Sequence, residues 1–211
     1  KNIIQLEIKN QIKKKYNINL EFNDKIIYGL FPKPHFYSKN LSILREERNI
    51  VDKGNLKIFI SIIDFFKINK PEIKDLIFQN TDFNIYKDDL LFFQKLLKTE
   101  PNGNKIVIKN SNIFFKDQND EILFINKIYN SKFFYDFNNL TNTLTAYNEV
   151  FKVPYKITVK SDKFNKKIFV KFNAKKIRLD IENEINYDEV VKKGLLNILF
   201  INKSTSLNYE I

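Results

Sequence analysis

The side chains able to do chemistry are few and badly placed for it. His35 is the only histidine, set between Pro34 and Phe36 with no second ligand and no nucleophile beside it. A lone imidazole of that kind reads as a strand residue rather than a general base or metal ligand. The acidic pairs Glu46/Glu47, Asp88/Asp89 and Asp188/Glu189 fall at turns or helix starts. Catalytic carboxylates must face each other across a pocket, which adjacency in sequence does not provide. Glycine occurs only at 29, 54, 103 and 194, so no Gly-rich loop cradles phosphate. There is no cysteine, hence no disulfide framework and no thiolate metal site, and the redox compartment stays open. No catalytic residue, metal site or cofactor is expected, and the chain reads as a non-enzyme.

Charge is the next candidate for function. Lys+Arg 36 against Asp+Glu 25 gives a net charge of +11, a balance that suits nucleic acid, anionic lipid or another acidic polymer. Arginine, which reads phosphate with a planar fork, appears only at Arg45, Arg48 and Arg178. The joint abundance of Lys, Asn and Ile points to an AT-rich coding bias as the main source of the excess. Lysines interleaved with aromatics, as in Lys132-Phe133-Phe134-Tyr135 and Lys166-Lys167-Ile168-Phe169, resemble a stacking platform, but the aromatics alternate with aliphatics as core residues do. Nucleic acid is therefore not the expected partner.

The elements that would position any site are mostly strands. Every second residue is apolar in Leu56-Ile58-Ile60-Ile62, Tyr155-Ile157-Val159, Ile168-Val170-Phe172 and Leu196-Ile198-Phe200, the signature of half-buried ribbons. Ile4, Ile8, Ile12 and Tyr16 recur at helical spacing, predicting a helix over 1–16 with Lys13, Lys14 and Lys15 at its C-terminal end. Strands are expected over 18–22, 36–44 and 55–63, with a solvated turn at 45–48 and a helical turn at Asp64-Phe65-Phe66. Two extended pieces fall within 73–85, a helix near 88–98 is N-capped by Asp88, and strands follow over 105–115 and 121–129. From 130 to 211 the pattern is an antiparallel meander, with strands near 132–138, 143–149, 154–161, 166–174, 176–185 and 195–202. The fold class is mainly β: an elongated, twisted antiparallel sheet curled into an apolar groove, with an N-terminal helix and one or two short inserted helices. The chain reads as a single β-groove domain over 1–211.

So many one-sided strands need cover, and two helices are too few to supply it. Either the sheet folds on itself or a ligand lies along it, and an acyl chain fits such a trough. The groove candidates are Ile58, Ile60, Phe83, Ile85, Ile106, Ile108, Tyr155, Ile157, Val159, Ile168, Val170, Phe172, Ile198 and Phe200. No run reaches the roughly 18 to 20 apolar residues of a membrane span. Because the chain begins at Lys1 and holds no Met, it is expected to be a piece of a longer protein whose leader or anchor precedes it.

The order of features over residues 1–126 resembles the N-terminal part of the AsmA-like family. Ile4 to Tyr16 is similar to that family's post-anchor helix, and Leu30-Phe31-Pro32-Lys33-Pro34-His35-Phe36 to its Leu-Phe-Pro-x-Pro corner. Segments 55–62, 73–85 and 105–126 are similar to the strands that follow, so 17–129 corresponds to the family's N-terminal strands. The resemblance implies a periplasmic location at the bacterial inner membrane, through an N-terminal anchor missing from this chain. It also implies phospholipid or another acyl lipid as ligand, a role in outer-membrane biogenesis, and other envelope proteins as partners. The alternatives are a structural adaptor with a closed β core and a basic nucleic-acid-binding module.

Overall fold

The computed structural model describes residues 2–16, 18–45, 48–61, 72–89, 103–187 and 191–210. Helix α1 (Asn2–Tyr16) carries Ile8 and Ile12 on one face, both fully buried, and the Gln11 amide donates to Glu7 one turn back at 2.9 Å. The expected helix near 88–98 lies outside the described residues from 90 onward, as does the turn expected at Asp64-Phe65-Phe66.

All the strands among the described residues join one sheet. Its N-terminal part comprises β1 (Asn19–Phe22), β2 (Ile27–Gly29), β3 (His35–Arg45), β4 (Arg48–Ile60), β5 (Ile73–Gln79) and β6 (Asp82–Tyr86). The long strands β7 (Lys105–Lys116) and β8 (Ile122–Asp136) lead into β9 (Thr141–Val150), β10 (Val153–Asp162), β11 (Lys167–Ala174), β12 (Leu179–Asn186), β13 (Lys193–Phe200) and β14 (Lys203–Glu210). The 14-stranded sheet runs β1-β3-β4-β5-β7 and then in sequence order to β14, while β2 pairs with β3, and β6 pairs with β4 and β7. It does not close into a barrel.

Five expectations are corrected. The strand expected over 55–63 is the later part of β4, which begins at Arg48 and ends at Ile60, because residues 48–54, although they lack regular apolar alternation, pair back onto β3. The sheet is mixed, because β7 pairs in parallel with β5 and β6, and only the rest is antiparallel. The pieces expected over 121–129 and 132–138 are one strand, β8, whose register shifts between Ile128 and Asn130. The strand expected over 176–185 begins at Leu179, after a short 3-10 turn at Lys175–Ile177. Finally, the meander has one strand more than the alternation predicts: β14, whose Ser-Thr-Ser-Leu run lacks apolar alternation, is held by pairing to β13.

A line of kinks crosses the N-terminal half. Asn40, Asn80 and Asn110 all have left-handed backbone, with φ of 54°, 51° and 46°. Asparagine tolerates that conformation better than other side chains, and each extra residue flips the strand's in/out parity. The parity flip is visible in the side chains: Phe36 and Ser38 are buried before Asn40, and Leu41 and Ile43 after it. Asn80 separates β5 from β6, and the ladder to β7 is kept by Asn80 N–H donating to the Lys109 carbonyl and Asn112 N–H to that of Thr81. Thr81 is wholly buried, its N–H donating to Ser111 Oγ at 3.1 Å, and it lies so close to Gly54 that a Cβ there would meet it at 2.6 Å.

The core sits beneath α1. Ile8 and Ile12 pack with Leu20, Phe36, Leu41, Ile43, Val51, Leu56, Ile58, Ile60, Ile73, Leu76 and Phe78 from β1, β3, β4 and β5. The helix thus covers one end of one face of the sheet.

Candidate functional site

Residues paired directly across strands share a face, so the register traces that face across the molecule. One row runs Phe36, Ile58, Leu76, Ile106, Phe133, Leu144, Val159, Val170, Asn183, Leu196 and Leu207. The row beside it runs Ser38, Leu56, Phe78, Ile108, Ser131, Ala146, Ile157, Phe172, Ile181, Ile198 and Thr205. Strand alternation adds Ile60, Tyr155, Ile168 and Phe200 to the same side, and pairing of Phe83 with Val51 and Ile113, and of Ile85 with Phe115, adds β6. All the groove candidates therefore share one face, which is the face that α1 covers.

Cover divides them. Ile58 and Ile60 are 1% and 5% exposed beneath α1, and Ile85 is buried too, so these three are core and closed to a ligand. Phe83, Ile106 and Ile108 are partly buried against the same core. Beyond β8, no described element lies over the face. There Tyr155, Ile157, Ile168, Val170, Phe172 and Ile198 are half-buried, Phe200 is exposed, and Val159 is shielded by its neighbours. Leu144, Ile181 and Ile185 share this surface, as does Leu196 of the alternating run Leu196-Ile198-Phe200, and none of the four is among the groove candidates.

The bare stretch is an apolar stripe with polar margins. On one side, Asn148 Nδ2 donates to the Tyr155 hydroxyl at 3.2 Å, and that hydroxyl donates to Asn126 Oδ1 at 2.9 Å. Burial pushes the Tyr155 phenol above its ordinary pKa, so it stays a neutral donor. On the other side, Asn142 pairs with Ser161, and both are buried. From β8 to β13 the stripe crosses five inter-strand steps, about 24 Å at the usual ~4.8 Å spacing.

The opposite face mixes paired charges with exposed apolar side chains, Tyr147, Phe169, Leu195 and Leu199 among them. Lys167 pairs with Glu184 and Lys171 with Glu182, each at 2.6 Å, and Asn173 donates to Asp180. Shallow hollows of about 660 and 580 Å³ lie on that side, lined by residues such as Lys167, Glu184, Lys160 and Lys171. The apolar stripe is thus an open surface rather than an enclosed pocket.

Groups suggestive of catalysis are dispersed. His35 opens β3, its Nδ1 2.8 Å from the Lys33 carbonyl and its ring beside Phe59. Asp89 accepts from Arg45 at 2.7 Å and from the Tyr86 N–H at 2.9 Å, so it clamps the end of β6 to β3. Glu46, Glu47, Asp188 and Glu189 lie outside the described residues. Tyr86 donates to Asp120 and its phenol is pushed up to about 12 by that bond, a link between β6 and the 117–121 turn. Among the described residues no three His, Cys, Asp or Glu side chains gather as metal ligands, and no helix is long and apolar enough to cross a membrane. In the corner between β2 and β3, Leu30 and Phe31 are exposed, Pro32 follows a cis peptide bond, and buried Pro34 accepts from the Ile60 N–H at 3.1 Å.

No protein-family model matches this chain, and none of the curated proteins matches it.

Proposed function

We propose that this chain is a non-enzymatic lipid-handling module in which acyl chains lie along the apolar stripe of β8–β13. The observation that carries the reading is the contrast along one face. Under α1 its residues are 0% to 8% exposed, and beyond β8 the same alternation continues with no described layer above it. An acyl chain is the simplest cover of that shape: flexible, narrow and wholly apolar. Burying a methylene yields about 0.8 kcal/mol, so sixteen carbons covered on one side gain roughly 6 kcal/mol before entropy. That magnitude suits a carrier that must also release its cargo. The AsmA-like resemblance of residues 1–126 supplies the setting, phospholipid at the periplasmic side of a bacterial inner membrane. The closed-core adaptor reading draws support only from the end covered by α1.

Native mass spectrometry with lipid extraction, on protein purified from a bacterial lysate without harsh detergent, tests this. One or two phospholipids per chain are expected. Replacing Ile157→Asp and Val170→Asp together, in a protein that still melts cooperatively, should abolish them. A folded wild-type protein that carries no lipid, or a folded double variant that keeps it, removes the proposal.

A further inference from the structure

The hairpin turns at 151–152, 175–178 and 201–202, with Lys203 at the start of β14, lie along one long edge of the sheet. Lys176 Nζ donates to the Lys152 carbonyl at 2.8 Å, and Ile201 N–H donates to the Arg178 carbonyl at 3.1 Å, tying neighbouring tips together. Their sequences, Phe151-Lys152, Lys175-Lys176-Ile177-Arg178 and Ile201-Asn202-Lys203, contain cations and no carboxylate, and all of these residues are exposed. Among the described residues none of these cations is in an ion pair. The opposite edge also exposes apolar tips at Phe137, Leu140 and Phe164, but its turns mix Lys163, Lys166 and Lys192 with Asp136 and Asp162, whereas on the first edge the carboxylates Asp117, Asp120 and Glu121 are confined to the 117–121 turn between β7 and β8.

The apolar residues at the tips are doubly unfavourable for the fold. Phe151 and Ile201 are 79% and 52% exposed, and both sit at the first position of a two-residue hairpin with positive φ, 50° and 47°. Such type I′ turns favour Asn or Gly, and a β-branched residue there is an outlier. Apolar tips ringed by cations match a surface that is acyl inside and anionic outside. We infer that this edge docks on an anionic lipid bilayer, with Phe151, Ile177 and Ile201 entering the headgroup boundary and Lys152, Lys175, Lys176, Arg178 and Lys203 against lipid phosphates. Bare nucleic acid would use the cations and leave the tips idle. The docking does not require an acyl chain on the stripe.

Co-sedimentation with vesicles of phosphatidylcholine, with and without phosphatidylglycerol, tests the inference. Wild-type protein should bind the anionic vesicles, and K152E/K176E/R178E should bind at least about tenfold more weakly. F151N/I201N, which places the favoured residue in each turn, should keep or raise the melting temperature while also losing vesicle binding. K163E/K166E/K192E, with the same change in net charge on the opposite edge, and the stripe variant I157D/V170D should bind as wild type. The inference is overturned if wild-type protein ignores both vesicles, if either edge variant binds like wild type, or if K163E/K166E/K192E is as defective as K152E/K176E/R178E. A single-stranded oligonucleotide lost by K152E/K176E/R178E but kept by F151N/I201N would mark a nucleic-acid edge instead.

Discussion

Asp162 shows how single polar residues shape this protein. Its carboxylate accepts from the Asn165 N–H at 2.9 Å and from the Asn165 amide at 2.8 Å, closing the turn between β10 and β11. These bonds, the backbone one first, hold its pKa below the ordinary carboxylate range. A depressed folded pKa stabilises the fold at pH above the ordinary value, and that stability is lost as pH falls through the folded one. The group is solvated, so the effect is under about 1 kcal/mol. Urea midpoints measured from neutral to acid pH should therefore drop less steeply for Asp162→Asn than for wild type; parallel curves would mean that the bond is not formed in solution. The turn itself was legible, because Asp-Lys-Phe-Asn breaks two alternating runs. Which residue would anchor it was not, since Asp, Lys and Asn serve equally as solvated filler until a backbone N–H points at one of them.

At the scale of elements, alternation located β3, β5, β7, β9, β10, β11 and β13 well, because each must bury one face. It failed where pairing alone holds a strand, as in β14, and where a bulge imitates a turn, as at Tyr129 in β8. The kinks did leave a trace: the apolar parity flips across Asn40, Asn80 and Asn110, with Ile108 giving way to Ser111 and Ile113. An asparagine at a parity flip is a usable sign of a bulge. Substituting Asn80→Ala should cost about 1 kcal/mol and Asn80→Gly close to nothing, read by equilibrium denaturation, because only the alanine is penalised at positive φ. Equal losses would place the role of Asn80 in its side chain instead. The parallel pairing of β7 with β5 left no trace in the alternation, which records faces and not strand direction.

Across the whole molecule, the stripe's face could be read from periodicity, yet what covers it could not. Ile58 and Val170 alternate alike in sequence, but one lies beneath α1 and the other is half-bare. This asymmetry predicts a gradient of local stability. Amides of β3, β4 and β5 should exchange with solvent at least about a hundredfold more slowly than those of β13 and β14 in the lipid-free protein, and added lipid should narrow the gap. Uniform protection along the sheet would show that the bare end is covered after all.

The open meander from β8 to β14 also has a bearing on how such a protein can change over time. Each added hairpin widens the sheet by about 10 Å, and contacts only the strand before it. Reach is then counted in hairpins, while the hydrophobic core under α1 need not be rebuilt. A lineage could therefore lengthen or shorten its apolar track by duplicating or deleting pairs of strands, adjusting span and anchorage as independent traits.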